Sequence, residues 1–179
     1  MGLSRAELLP HYTYKDYCGW EGRWELIRGI VHAMTPAPSI KHQQISQKIA
    51  RHLDEALENC SECHPLLPVD WKISDDTVVQ PDNLVVCYKP EGNYITKAPT
   101  LIFEVLSSST SVKDENVKFN LYQKEGVRYY CIVVPDDKVA KIYELMNGIY
   151  IKKFDATNET IIFVLKDCVM EFDFSKIWD

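Results

Sequence analysis

Val78-Val-Gln-Pro-Asp-Asn-Leu-Val-Val86 and, one loop later, Thr100-Leu-Ile-Phe-Glu-Val-Leu106 are the two stretches on which the fold turns. Each is an apolar run rich in β-branched residues and carries one acid near its middle, Asp82 in the first and Glu104 in the second. Short, almost wholly apolar runs are typical of strands buried on both faces at a sheet centre. An ionised carboxylate buried there costs several kcal/mol unless a partner compensates it. Two such acids on successive strands call for a cation between them. A divalent metal is one solution, because hard ions such as Mg²⁺ take carboxylate oxygens. A buried Lys or Arg is a second, and placement of either acid at an exposed strand end is a third.

On the N-terminal side, Trp24-Glu-Leu-Ile27 and Ile30-Val-His-Ala-Met34 flank Arg28-Gly29, which predicts a hairpin. Pro36 and Pro38 impose a loop that ends on Ser39, a good N-cap. Ile45, Ile49, Leu53, Ala56 and Leu57 then recur at helical spacing and predict a long helix over about 41–58. A shorter helix is expected within 3–17, and strands over about 66–73 and 78–87. On the C-terminal side, the hydroxyl residues of 107–111 suit the cap of a second helix over about 112–125, which Gly126 closes. A buried strand over about 127–134 ends at Pro135, and Asn147-Gly148 turns a hairpin between about 139–146 and 149–154. Two weaker strands, about 161–165 and 169–172, finish the chain. The fold class is α/β of the α+β kind: a central mixed sheet flanked by two main helices, with N-terminal and C-terminal β-hairpins.

The chain has 179 residues, 46% hydrophobic and 26% charged, the composition of one ordinary globular domain over 1–179. No stretch approaches the roughly 20 apolar residues of a membrane span, and the first 20 positions lack the apolar core of a signal peptide. A cytoplasmic location and no membrane partner follow as expectations. The net charge of −6 argues against broad, non-specific affinity for phosphates. Lys41, Lys48 and Arg51, and again Lys113, Lys118, Lys124 and Arg128, read first as solvated helix faces. In such a compartment the six cysteines are expected as reduced thiols, several of them buried as small hydrophobes.

Asp114, Lys118 and Tyr122 are spaced i, i+4, i+8 and share one face of the second helix. That helix follows the Glu104 strand directly, so its polar face can set Lys118 over the carboxylates. A lysine beside a metal and a scissile phosphate stabilises charge or orients the attacking water. The alternative is a solvent-facing lysine paired with Asp114.

An ordered set of strings runs through the chain: Trp24-Glu-Leu-Ile-Arg-Gly29, Met34-Thr-Pro-Ala-Pro-Ser39, His42-Gln43 with Ile45-Ser46, Val79-Gln-Pro-Asp82, Ala98-Pro99, and Glu104-Val-Leu-Ser107 with Ser109-Thr110. Asp114, Lys118, Tyr122, Gly126-Val127 and Tyr129-Tyr130 continue it. Over roughly Trp24 to Tyr143 the chain thereby resembles the bacterial Uma family of restriction-endonuclease-like proteins, within the PD-(D/E)XK nuclease superfamily. The resemblance implies a restriction-endonuclease-like domain and an Mg²⁺- or Mn²⁺-dependent endonuclease acting on DNA. It implies Asp82 and Glu104 as catalytic acids and metal ligands, with the Val105 carbonyl as a third ligand, and Lys118 as the catalytic lysine. Glu25, His42, Asp114 and Tyr122 are candidates to join the site, and a homodimer is implied by relatives that pair. One departure matters: the superfamily pattern has lysine two residues past the second acid, where Leu106 stands. Ser108 also replaces a usual proline. The displaced lysine and the acidic charge keep open an alternative from another class, an inactive nuclease-fold protein that binds nucleic acid or protein.

Other signals are weaker. Cys60-Ser-Glu-Cys63-His64 matches the haem c attachment pattern but lacks an export signal and an axial partner. Zinc through Cys60, Cys63, His64 and a fourth ligand such as Cys18 has suitable chemistry, yet no second CxxC or HxxxH pair accompanies it. It supports only a third reading, a zinc-stabilised structural protein. Ser107–Thr110 lacks a nucleophile elbow, and Tyr129-Tyr130 reads as strand packing rather than a base-stacking platform.

Overall fold

Proline decides where the middle of the chain changes sheets. The computed structural model describes residues 9–34, 37–107 and 112–178, with side chains from residue 115 onward in the last stretch. After the short helix α1 (Tyr14–Tyr17), β1 (Trp24–Ile27) and β2 (Ile30–Ala33) form the expected hairpin. Arg28 and Gly29 turn it at φ 53° and 75°, the left-handed pair that a primed turn requires. Helix α2 spans Ile40–Leu57, and the Ser39 hydroxyl accepts the His42 N–H at its start. The strand expected over 66–73 is two, β3 (His64–Leu66) and β4 (Trp71–Ser74), parted by Pro68. The one expected over 78–87 is likewise β5 (Thr77–Val79) and β6 (Asn83–Val86), parted at Gln80-Pro81-Asp82. Proline has no N–H for a central ladder, so each run breaks there and its two halves enter different sheets.

The remaining elements are β7 (Leu101–Val105), α3 (Val112–Glu125), β8 (Tyr129–Val134), β9 (Val139–Met146), β10 (Ile149–Ala156), β11 (Thr160–Val164) and β12 (Val169–Asp173). A four-stranded antiparallel sheet has the order β2-β1-β5-β4, and a six-stranded mixed sheet the order β10-β9-β8-β7-β6-β3. The N-terminal hairpin is thus half of a second sheet rather than an appendage. The parallel pair β7–β8 is joined across the sheet by α3, since parallel neighbours need a crossover. β11 and β12 pair with each other in a separate ribbon beside α2.

Strand period two sorts the core. Val85, Leu101, Phe103, Tyr129, Cys131 and Val133 face α2 and the β11–β12 ribbon. Leu84, Val86, Ile102, Tyr130 and Ile132 face the other way, towards Leu121 and Tyr122 of α3 and Val79 of the smaller sheet. Tyr129 and Tyr130 are both buried in strand packing. Ile45, Ile49, Leu53 and Leu57 of α2 are buried, as their spacing predicts.

The expectation of reduced, solitary thiols needs correction. Cys60 is bonded to Cys168 and Cys63 to Cys87, while Cys18 and Cys131 are free. Cys18, considered above as a fourth zinc ligand, is exposed and outside this group. The chain folds three distant turns to one place, and sequence spacing carries no sign of that. No helix among the described residues is long and apolar enough to cross a membrane. The capping loop expected over 107–111 lies, from residue 108 on, outside the described residues, as do residues 3–8 of the N-terminal helix expected within 3–17, of which α1 is the described part.

Candidate active site

Glu104 is the fourth residue of β7 and pairs with Ile132 of β8. Period two turns it with Ile102 to the α3 side of the sheet. Lys118 and Tyr122 stand one helical turn apart on α3 and both reach it. Lys118 Nζ donates to Glu104 Oε1 at 3.0 Å, and the Tyr122 hydroxyl donates to the same oxygen at 2.7 Å. Lys118 Nζ also lies 2.9 Å from Oε1 of Glu25, on β1 of the smaller sheet. Glu25 in turn accepts the Gln80 N–H at 2.9 Å. One ammonium therefore bridges carboxylates from both sheets.

Asp82 sits at the break just before β6, not inside a strand, because Pro81 ends the pairing there. Its Oδ2 accepts the Val105 N–H at 2.8 Å and lies 3.1 Å from His42 Nε2. His42 belongs to the first turn of α2, the turn that Ser39 caps. One turn on, the Ser46 hydroxyl donates to Asn83 Oδ1 at 2.9 Å, and Asn83 Nδ2 donates back to the Ser46 carbonyl at 3.3 Å. Asn83 is wholly buried, so this reciprocal pair pins α2 to the residue after Asp82.

The side chains lie at a cavity of about 620 Å³ whose lining includes Glu25, His42, Asp82, Glu104, Leu106 and Lys118. A second hollow of about 780 Å³ shares Arg23, Pro38, His42 and Asp82 with it and extends along α2 past Gln47 and Arg51. Burial, together with the negative charges of Asp82 and Glu25, pushes the Glu104 carboxyl up to about 7, although Lys118 pulls the other way. Burial works against the Lys118 ammonium, but Glu104 and Glu25 outweigh it and hold the lysine above its ordinary range. For Asp82, burial is outweighed by the His42 hydrogen bond and charge and by the Val105 N–H, so its carboxyl lies below the usual value. Burial disfavours the His42 cation too, but Asp82 prevails and raises that imidazole. Burial and Glu104 lift Tyr122 well above the ordinary phenol, which keeps it a donor.

Of the residues singled out from sequence, Glu25, His42, Asp82, Glu104, Lys118 and Tyr122 converge. Val105 joins through its N–H, and Asp114 has its side chain outside the described residues. The α3 face holding Lys118 and Tyr122 points inward, not to solvent. Leu106 occupies the place two past Glu104, and the lysine arrives from α3 instead. Among the described residues, Lys41 pairs with Asp136, Arg51 with Glu55 and Arg128 with Glu144 as solvated faces would, whereas Lys48 donates to the Trp178 carbonyl and Lys118 turns inward to the acids. Sequence reasoning missed Arg23 and His32 at the cavity and the Ser46–Asn83 brace. The signal for the brace was a polar Asn directly after Pro81-Asp82 in an otherwise apolar run.

A crystal structure of a putative nuclease belonging to DUF820, from Anabaena variabilis, superimposes with a TM-score of 0.76 at 16% identity. The match covers 93% of this chain and 97% of that one, and it establishes a shared nuclease fold. No curated protein matches the chain. The model of the Uma2 family, described as "Putative restriction endonuclease", matches residues 12–166. That span is well over half of the 179 residues, and the chain belongs to the Uma2 family of restriction-endonuclease-like proteins.

Proposed function

We propose that the chain is a divalent-metal-dependent endonuclease that hydrolyses DNA phosphodiester bonds, with Asp82 and Glu104 as its acids and Lys118 as the cation beside them. One observation carries this reading: the N–H of Val105, the residue after Glu104, donates to Asp82, so a single peptide locks the two acids together at an open cavity. The donor set fits Mg²⁺ or Mn²⁺. Among the described residues, both hydrogen bonds to Asp82 end on Oδ2 and both to Glu104 on Oε1, so Asp82 Oδ1 and Glu104 Oε2, with the Val105 carbonyl as a third hard oxygen, are the atoms that would hold a cation. Lys118 is shared by the carboxylates of Glu25 and Glu104 while Asp82 pairs with His42, so three acids gather at one cavity, and burial first, then the charges of Asp82 and Glu25, raise Glu104. His42 Nδ1 is buried without a hydrogen-bond partner among the described residues, the mark of a polar site built for a further group.

When bound, the cation supplies Lewis acidity towards the phosphate and the attacking water. The protein's own residues do the positioning. His42 and the Val105 N–H fix Asp82 Oδ2, and the Tyr122 phenol fixes Glu104. Lys118 remains protonated and offers its charge to the negative charge that develops on a phosphoryl group. Cutting both strands calls for two sites, hence a homodimer, which light scattering checks.

The displaced lysine, with Leu106 two residues past Glu104, and the net charge of −6 favour a second reading, a nuclease-fold module that binds nucleic acid or protein without cutting. Calorimetric titration of Mg²⁺ and Mn²⁺ into wild type, Asp82→Asn and Glu104→Gln, beside a plasmid-cleavage assay, separates the two. Loss of both binding and cleavage in both variants is expected. Binding without cleavage of any nucleic acid favours the module, and no binding to folded wild type removes the metal mechanism.

A further inference from the structure

We propose that, with its thiols reduced, the chain binds one structural Zn²⁺ through Cys60, Cys63, Cys87 and Cys168. This site is separate from the acidic cavity and does not depend on the function proposed for it.

Two independent disulfides have no reason to lie against each other, yet these do. The Cys63 and Cys168 sulfurs, which belong to different bonds, are 3.7 Å apart. The sulfurs of Cys60, Cys63 and Cys168 all lie within 4.8 Å of one another, and Cys87 joins them through Cys63. A tetrahedral zinc site with Zn–S bonds of about 2.3 Å needs its sulfurs about 3.8 Å apart. The Cys63–Cys168 separation is already that of a tetrathiolate, Cys60 lies within 4.8 Å of both, and Cys87, bonded to Cys63, needs only to swing towards them once its disulfide is reduced.

The backbone offers the right platforms. Cys60-Ser-Glu-Cys63 has C-x₂-C spacing. It forms a tight turn after α2, with the Cys63 N–H donating to the Cys60 carbonyl at 3.3 Å. Cys87 follows the last residue of β6, and Cys168 closes the turn between β11 and β12, its carbonyl accepting the Leu165 N–H at 2.9 Å. Cys63 and Cys87 are buried, and Cys60 and Cys168 are half-buried at the edge of the core. Four sulfurs and no carboxylate make a soft donor set, which selects zinc over the hard cations suited to Asp82 and Glu104. A phosphine reductant gives two electrons to each disulfide and becomes the phosphine oxide, with water supplying the thiol protons. Zinc then displaces four protons as four thiolates close on it. A reducing compartment would hold the chain in this state.

The test is to purify the protein under a phosphine reductant without chelator and measure metal by mass spectrometry. One zinc per chain is expected, lost in Cys63→Ser and in Cys87→Ser. It should be retained in Cys18→Ser and in the Asp82→Asn/Glu104→Gln double variant. Should the serine variants fail to fold, Co²⁺ added to reduced, metal-free wild type decides: thiolate-to-cobalt charge transfer with tetrahedral d–d bands is expected. Folded, reduced wild type that holds neither zinc nor such a cobalt spectrum would overturn the proposal. So would iron in place of zinc, or zinc that leaves with Asp82 and Glu104 rather than with the cysteines.

Discussion

Strand β6 carries a polar cluster at each end. Before it stands Asp82, tied to His42 and Val105 and adjoining Glu104, Lys118 and Glu25. After it stands Cys87, gathered with Cys60, Cys63 and Cys168. Roughly 17 Å of extended chain separates the two. At the acid end, Glu25, Glu104, Lys118 and Tyr122 come from strands and a helix face, and oxygen donors predominate. At the sulfur end every donor comes from a turn or a strand terminus, and all are soft. The first cluster is positioned by the core and gathers charges at the wall of a cavity. The second positions the chain itself, joining three turns that are far apart in sequence. Perturbing one end should therefore leave the other intact, and the expected effects below are ordered by size.

The largest belongs to Lys118→Met. It leaves Glu25 and Glu104 buried without their shared cation and should cost about 3–5 kcal/mol in denaturant unfolding at pH 8, with zinc content unchanged. Moving the lysine to Leu106 in that background probes the displaced position. The Leu106 N–H donates to the Val133 carbonyl at 2.9 Å, which continues the β7 pairing, so position 106 faces the same side as Glu104. Part of the lost stability and activity should return.

Glu104→Gln comes next, and it should split activity from stability. Metal-dependent cleavage should fall on the order of 100-fold or more, while stability changes far less than in Lys118→Met. Glu104 has its folded pKa raised from 4.5 to about 7, so between those values the folded state binds more protons than the unfolded one. The stability this group contributes to the metal-free protein is full below about pH 4.5 and is lost as pH rises to about 7. Glu104→Gln should flatten that decline in a pH series of unfolding midpoints. An equal slope in both proteins would show that Glu104 does not titrate in this window.

The same division governs what the sequence reveals. Asp82 and Glu104 stand out because each breaks an apolar strand pattern, and Lys118 and Tyr122 because helical spacing sets them on one face. Periodicity thus exposes Asp82, Glu104, Lys118 and Tyr122, whereas Glu25 and His42 enter only through the family resemblance. It failed at Pro68 and Pro81, where one apolar run became two strands in different sheets, because apolar runs alone do not say which sheet a residue enters. It failed more fully at the sulfur end. Cys60 and Cys63 announce themselves by spacing, but Cys87 and Cys168 read as ordinary apolar positions. Their convergence depends on how β6 and the β11–β12 ribbon pack around α2, a tertiary fact with no local signature.

Tyr122→Phe removes the 2.7 Å donor to Glu104 while leaving the ring packed against Trp71 and Tyr130. It should cost about 1.5 kcal/mol and move the Glu104 pH transition upward, since a hydrogen bond to the ionised form is lost. A smaller effect is expected from Ser39→Ala, about 1 kcal/mol for a lost N-cap, and it bears most directly on the comparison. Helix α2 touches both clusters: His42 in its first turn reaches Asp82, and Cys60 follows its last. Fraying its start should loosen His42 from Asp82 and weaken Mn²⁺ binding in calorimetry. The end of the helix is held separately, by buried Leu53 and Leu57 packed in the core with Phe172, so zinc affinity should not move. If it does, α2 transmits strain along its length and the two ends of β6 act as one unit.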